Sequence, residues 1–517
     1  MAGGDTQRLQ PRDYVVEEYT KTVCPACFAE RRRRSNEEDV FKDGALVSHN
    51  GSIWLRRWCR EHGETESLYE EDAEIWRARR GWSTPTMRVT PDRPDNFGGF
   101  PHGYRHGLPA SHGQHSCILL LNVTERCNSD CSACFASAKP RATPAAPQEQ
   151  PSVDEILHTA KIIIAREGGK FGALMLSGGE PTVRRDLEEI IERLLELNIR
   201  RVVLNTNGRR IATDDRFVEF LHNHRQRVEL FLQFDGLRPS THIALRGEDL
   251  AAEKRTVLKR LNDAGVFTTM VAMIRRGINE DEIGDLIQLG LETPRCSGLS
   301  MQPMFGSGRA SAYDPRARAT PTGMLRRLGE QTHGLVDWTD FIPLPCSHKD
   351  CCDICYLLRT RDGSWKSLPK LIGKDELRRW LHVVSNTITF DSVTASVSEM
   401  LKSGALQRVF SEQLKAGTAE LVMDVARMCN CIPGLPEMLG QVWSLMGLQR
   451  SAMERAAENT FRITVKMFMD EHTFHEARIR QCCVHSGTFE DNPRRHPLCW
   501  RWLFADAQDF PGKTDSR

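Results

Sequence analysis

Leu121–Phe135 reads LNVTERCNSDCSACF. The apolar run Cys117–Val123 predicts a β-strand, and the polar residues after it predict a loop into which the strand empties. That loop carries Cys127, Cys131 and Cys134 in a C-x3-C-x2-C spacing, with Phe135 directly behind. Three thiolates this close hold three corners of a [4Fe–4S] cube and leave the fourth iron open to a small molecule. Four cysteines would close the cube for electron transfer alone.

Downstream of the loop, strand and helix alternate. Ser152 and Glu155 form an S-x-x-E capping box that opens a helix running to about Ala165. The strand ALMLS follows, then the helix DLEEIIERLLEL with Leu187, Ile190, Ile191, Leu194 and Leu195 on one face. Strand VVLNTNG, helix RFVEFLHN, strand ELFLQFDG, helix AAEKRTVLKRLNDAG, strand FTTMVAMI, helix DEIGDLIQLGL and strand SMQPMF complete the series. This rhythm predicts a parallel sheet built from right-handed crossovers. With the strand before the cysteine loop it makes a partial (β/α)6 barrel of the TIM type. The chemistry of such barrels sits at the C-terminal strand ends, where the cysteine loop lies.

The strand ends carry polar groups. Gly178-Gly179-Glu180-Pro181 closes the second strand, its glycines allowing close approach of backbone to a ligand. Asn205 and Asn207 close the third, Gln233 and Asp235 the fourth, and Arg275 with Asn279 the fifth. Gln302-Pro303 and Gly306–Arg309 on the sixth are candidates for adenine or substrate contact. The cysteine loop followed by GGEP one βα unit later resembles the radical S-adenosylmethionine (SAM) superfamily. The resemblance implies that GGEP meets the SAM amino group and that the other strand ends meet its carboxylate and ribose. It also implies that a 5′-deoxyadenosyl radical takes hydrogen from an unreactive carbon.

At the N-terminus, Cys24-Pro-Ala-Cys27 and Cys59 with His62 form a knuckle suited to tetrahedral zinc or a mononuclear iron. Tyr14, Tyr19, Trp54, Trp58, Tyr69, Trp76 and Trp82 supply aromatics to pack around it, and residues 14–82 are expected to form a small metal-stapled domain. Residues 83–115, rich in Pro, Gly and His, read as an extended connector over the surface. His102, His106, His112 and His115 are expected to be ordinary polar residues there. Residues 116–310 are the expected core.

Residues 311–517 read as a mainly helical, cysteine-rich region. Cys346, Cys351, Cys352, Cys355, Cys429, Cys431, Cys482, Cys483 and Cys499 lie in it, enough for two auxiliary [4Fe–4S] clusters with one thiol spare. One auxiliary cluster with buried thiols, or a structural zinc, are the alternatives. Cys117 and Cys296 stand apart in apolar runs and read as buried structural thiols.

Composition sets the outer bounds. Lys plus Arg number 70 against 69 Asp plus Glu, so no charge bias argues for nucleic acid. The run Arg31–Arg34 reads as solvated surface. The N-terminus has no apolar core of the signal-peptide kind, and no run is long enough to span a bilayer. A cytoplasmic enzyme is expected, and 17 clumped cysteines in a reducing compartment read as metal ligands.

The knuckle, the cysteine loop, PCSHKDCC and the late CCVH…C together resemble the archaeal tetraether lipid synthase and its bacterial relatives over nearly the whole chain. That resemblance implies coupling of lipid alkyl chains, a reductase, ferredoxin or flavodoxin as electron donor, and a lipid or other hydrophobic substrate. Ile432–Leu448, apolar and interrupted by Pro and Gly, reads as a core helix, with a hydrocarbon tunnel or peripheral bilayer contact as the alternative. A radical SAM methyl or methylene transferase, a peptide maturase and a non-catalytic iron–sulfur protein are the competing readings.

Overall fold

The computed structural model describes residues 13–30, 40–82, 89–136, 138, 150–169, 171–310, 313–344, 346–360, 363–367, 369–370, 374 and 459–504. Cys429, Cys431 and Ile432–Leu448 lie outside the described residues. The N-terminal part is a four-stranded antiparallel sheet of β1 (Val15–Val23), β2 (Phe41–His49), β3 (Ser52–Cys59) and β4 (Gly63–Glu70), in that order.

The six expected parallel strands are β5 (Ile118–Thr124), β6 (Phe171–Gly178), β7 (Ile199–Thr206), β8 (Val228–Gln233), β9 (Thr268–Ile274) and β10 (Cys296–Pro303). They neighbour one another in chain order. Five of the eight residues of β6 are apolar, and all but its last residue are buried, as befits a strand covered on both faces. The helix Val153–Arg166 opens with both reciprocal bonds of the Ser152–Glu155 box. On the helix Leu187–Leu195, Leu187, Ile190, Ile191 and Leu194 are buried, so the expected apolar stripe faces the sheet.

The sheet does not stop at six strands. Further along the chain come β11 (Ile342–Pro343), β12 (Cys352–Arg359), β13 (Trp365–Ser367), β14 (Thr460–Lys466), β15 (Val484–Gly487) and β16 (Arg495–Pro497). The order is β11-β12-β14-β10-β9-β8-β7-β6-β5-β15-β16, with β13 on β12. β14 runs parallel to β10, and β15 runs parallel to β5. The expectation of a mainly helical C-terminal region is therefore corrected for its described part, which supplies six strands to the same sheet as the core.

The reading of residues 83–115 as a surface connector is corrected too. Asp92, Asn96, Tyr104, Leu108, His112, Gln114 and His115 are buried. Arg495 reaches into this stretch, its Nε bonding Asp92 at 2.8 Å. The C-terminal strands cover what would otherwise be a polar loop on water. Among the described residues, no helix is long and apolar enough to cross a membrane.

Candidate metal and cofactor site

The cysteine loop is gripped from three sides. At the end of β6, Gly179 N–H donates to Thr124 O at 2.7 Å and Glu180 N–H to Arg126 O at 2.8 Å. Gly178 has φ +125°, and a Cβ on Gly179 would stand 2.1 Å from Arg126 O. The two glycines are thus required by the close approach of the cysteine loop itself. On a second side, Ser132 Oγ and Ala133 N–H donate to the carbonyls of Ala244 and Leu245. On a third, Arg309 donates from its backbone to Cys134 O at 2.8 Å and from Nε to Cys131 O at 3.1 Å. Gly306–Arg309, expected against adenine or substrate, here holds the loop.

Cys127, Cys131 and Cys134 are half-buried. Burial, then the charges of Glu180, Cys131 and Cys134, push the Cys127 thiol up to about 12. Three mutually repelling thiols in a shared pocket call for positive charge. Part of it is at hand. Arg246 lies within hydrogen-bonding reach of Cys131 and is clamped by Asp235 through bonds of 2.7 and 2.8 Å. The soft donor set fits an iron–sulfur cluster. Behind the loop, Phe135 packs on Phe305 and on Trp502, with ring centroids 5.6 and 4.9 Å apart. Trp502 belongs to the helix Leu498–Phe504, so this helix covers the cluster loop.

The other strand-end residues converge on the same end of the sheet, many with their polar atoms engaged. Glu180 is 1 % exposed and accepts from the Thr182 and Thr206 hydroxyls and from Asn207 N–H. Pro181 starts the short turn after it and is buried. Asn207 donates to Asn128 Oδ1 of the cysteine loop at 2.7 Å, and Asn205 to Ser177 Oγ at 3.1 Å. Gln233 Nε2 donates to Asp235 at 3.2 Å. Burial would raise the Asp235 carboxyl, but Arg246 wins and holds it below its ordinary value. Asn279 bonds Asp235 O, Met273 O and Arg275 N–H, which spends its amide on backbone. Asn205, Gln233 and Arg275 are half-buried at the mouth.

The knuckle residues close on a point. Cys24, Cys27, Cys59 and His62 offer ligand atoms that all lie within 4.8 Å of one another. Cys27 and Cys59 sulfurs are 3.6 Å apart, and His62 Nδ1 is 3.4–3.6 Å from the three sulfurs. Bond lengths for tetrahedral zinc give edges of roughly 3.8 Å between sulfurs and 3.6 Å from sulfur to nitrogen. The set fits one ion. His62 Nε2 is 3.3 Å from Glu30 Oε1, the carboxylate that orients a ligating imidazole.

The outer cysteines lie close together. Cys482 feels the charge of Cys483, Cys499 and Cys351, in that order, Cys351 that of Cys483, and Cys499 that of Cys351. Cys346 and Cys483 gather with Cys117, all three buried. The expectation that Cys117 is an isolated core thiol is thereby corrected, whereas Cys296 does lie in the apolar core. Cys352 lies near Cys351 and Cys483. Cys355 is buried in the main apolar core beside Asp340. No spacing in the sequence connects Cys117 to partners so far along the chain.

The family model of the Radical SAM superfamily matches residues 121–290, from the cysteine loop through β9. This is a radical SAM enzyme. A second model, the HMPTM N-terminal zinc ribbon domain, matches residues 16–71 of the enzyme, the four-stranded sheet with its knuckle. The enzyme is 24% identical to a 7,8-dihydro-6-hydroxymethylpterin dimethyltransferase of Methanocaldococcus jannaschii, over 94% of this chain and 93% of that one. It is 32% identical to a mitochondrial GTP 3′,8-cyclase of Arabidopsis thaliana, over 35% of this chain and 45% of the relative. Among solved structures, Streptococcus suis SuiB bound to its precursor peptide SuiA aligns with a TM-score of 0.34 and 18% identity, covering 43% of this chain and 46% of that one. A [4Fe–4S] cluster and SAM are the enzyme's cofactors, and together they supply one-electron, hydrogen-abstracting chemistry.

Proposed function

We propose that the enzyme builds a carbon–carbon bond at an unactivated carbon, and that one-carbon transfer is the form this takes. The observation that carries the proposal is the likeness to the dimethyltransferase over 94% of the chain, which takes in the ribbon and the outer cysteines as well as the SAM core. In this reading Cys127, Cys131 and Cys134 hold the cluster. Asn205, Gln233 and Arg275 face SAM or substrate, with Gly178, Gly179, Glu180, Pro181, Asn207, Asp235 and Asn279 fixing the walls. Phe135, Phe305 and Trp502 keep water from the loop. Cys351, Cys482 and Cys499 supply ligands to an auxiliary cluster, which passes electrons from a reductase, ferredoxin or flavodoxin.

The second reading is the joining of lipid alkyl chains, favoured by the motif set CPAC, CREHG, PCSHKDCC and CCVH. The test gives reduced enzyme SAM carrying a deuterated methyl group, with a reduced pterin or a lipid extract as acceptor. Labelled methyl on the pterin supports one-carbon transfer. Loss of hydrogen with joining of lipid chains supports the second reading. Failure to release 5′-deoxyadenosine or to transfer methyl in any mixture overturns both. Cys131→Ala is expected to abolish SAM cleavage.

A further inference from the structure

The long sheet curls but does not close by hydrogen bonds: β11 is at one end of its strand order and β16 at the other. Three buried cysteines meet across this seam. Cys117 immediately precedes β5, and Cys483 immediately precedes β15. The two are side by side, since Cys117 N–H donates to Cys483 O at 2.8 Å. Cys346 comes from the other margin, three residues beyond β11. Their sulfurs all lie within 4.8 Å of one another, and Cys346 and Cys483 are 3.7 Å apart.

That separation decides between explanations. A disulfide would bring two sulfurs to about 2.05 Å. A cube would spread its thiolates over different irons, and among the described residues Cys127, Cys131 and Cys134 form no set this tight. A single tetrahedral ion sets its sulfurs roughly 3.8 Å apart, as calculated for the knuckle. His115, 6 % exposed, contacts Cys117 alone, its Nε2 3.3 Å from that sulfur, and stands outside the set of three sulfurs.

We propose that Cys117, Cys346 and Cys483 bind one borderline-soft divalent ion, zinc or ferrous iron, as a clasp across the barrel seam. The site lies before the first residue of β5 and the SAM cluster beyond its last. Seven residues of strand at about 3.3 Å each put roughly 23 Å between them. Cys117 and Cys483 stand at the N-terminal ends of β5 and β15, and Cys346 follows β11, so the ion ties strands from both margins of the sheet. This assignment removes Cys346 and Cys483 from any auxiliary cube. It does not depend on which substrate the enzyme uses.

The test is metal analysis of the anaerobically purified full chain. Cys117→Ala is expected to lose one metal ion per chain, with sulfide and SAM cleavage retained, while Cys296→Ala loses none. An unchanged metal count in Cys117→Ala overturns the clasp, and loss of four irons with sulfide overturns the single ion. If the variant fails to fold, anomalous scattering from wild-type crystals decides. A single-ion peak between the three sulfurs is expected, and a disulfide, empty density or a cube there refutes the proposal.

Discussion

Arg246 is the residue on which the electrostatics of the site turn. Its guanidinium is pinned by Asp235 and reaches Cys131, so a cation stands beside a thiolate that must carry extra negative charge when the cluster is reduced. Hydrogen bonds and charge near the sulfurs raise a cluster's potential. Arg246→Gln is expected to lower the reduction potential by on the order of 60 mV, tenfold in the one-electron equilibrium, with iron content retained. Potentiometric titration followed by electron paramagnetic resonance measures it. Lys254 lies behind the same group, donating to Asn207 O, and burial pulls its ammonium down to about 8. Between that value and the ordinary 10.5 the unfolded chain holds a proton that the folded chain releases, so stability rises with pH. Below the window the penalty is present in full. Lys254→Met should flatten this rise, which reaches about 1.4 kcal/mol per pH unit, in denaturant titrations at pH 8 and 10. Glycines 178 and 179 show how a motif is legible without its reason. The GGEP letters are plain in the sequence, but the need for two missing side chains arises only where Thr124 O and Arg126 O come to lie.

Among elements, the helix Leu498–Phe504 links a segment remote in sequence to the chemistry of the cluster loop. Trp502 packs on Phe135, Phe305 and Phe468 with centroids 4.9–5.4 Å apart. Trp502→Ala is expected to admit water to the cluster loop and raise 5′-deoxyadenosine formed without product several-fold, read as the ratio of the two by mass spectrometry. The six central strands were legible because each is an apolar run bounded by turn residues and separated by an amphipathic helix. β15 was not. Four residues, VHSG, carry no period, and their pairing is set by β5, far away in the chain. His485 shows the reach: it bonds Ser116, 369 positions earlier. The cysteine loop and the knuckle could be read from spacing alone, whereas the Cys117 set needs three remote segments brought together.

At the scale of the molecule, the zinc ribbon is docked on the barrel by buried charge. Arg79 follows the helix Ala73–Ala78, bonds Glu70 of β4 at 2.7 Å and bonds Asp353 of β12 at 2.5 Å. Thr322 donates to the other Glu70 oxygen at 2.8 Å. Removing Arg79 leaves two buried carboxyls without their cation, at a cost of about 3–5 kcal/mol. Arg79→Met is therefore expected to lower the melting temperature and to make the segment between ribbon and core a preferred site of proteolysis, with zinc still bound. Limited digestion with intact-mass readout measures both cleavage and metal. The pairing of β15 with β5 has a further consequence, for synthesis. On the ribosome β5 is made well before β15, and its outer edge stays unpaired until β15 has emerged. Trp502, which covers the cluster loop, arrives later still. The cluster loop is therefore made long before the tryptophan that covers it.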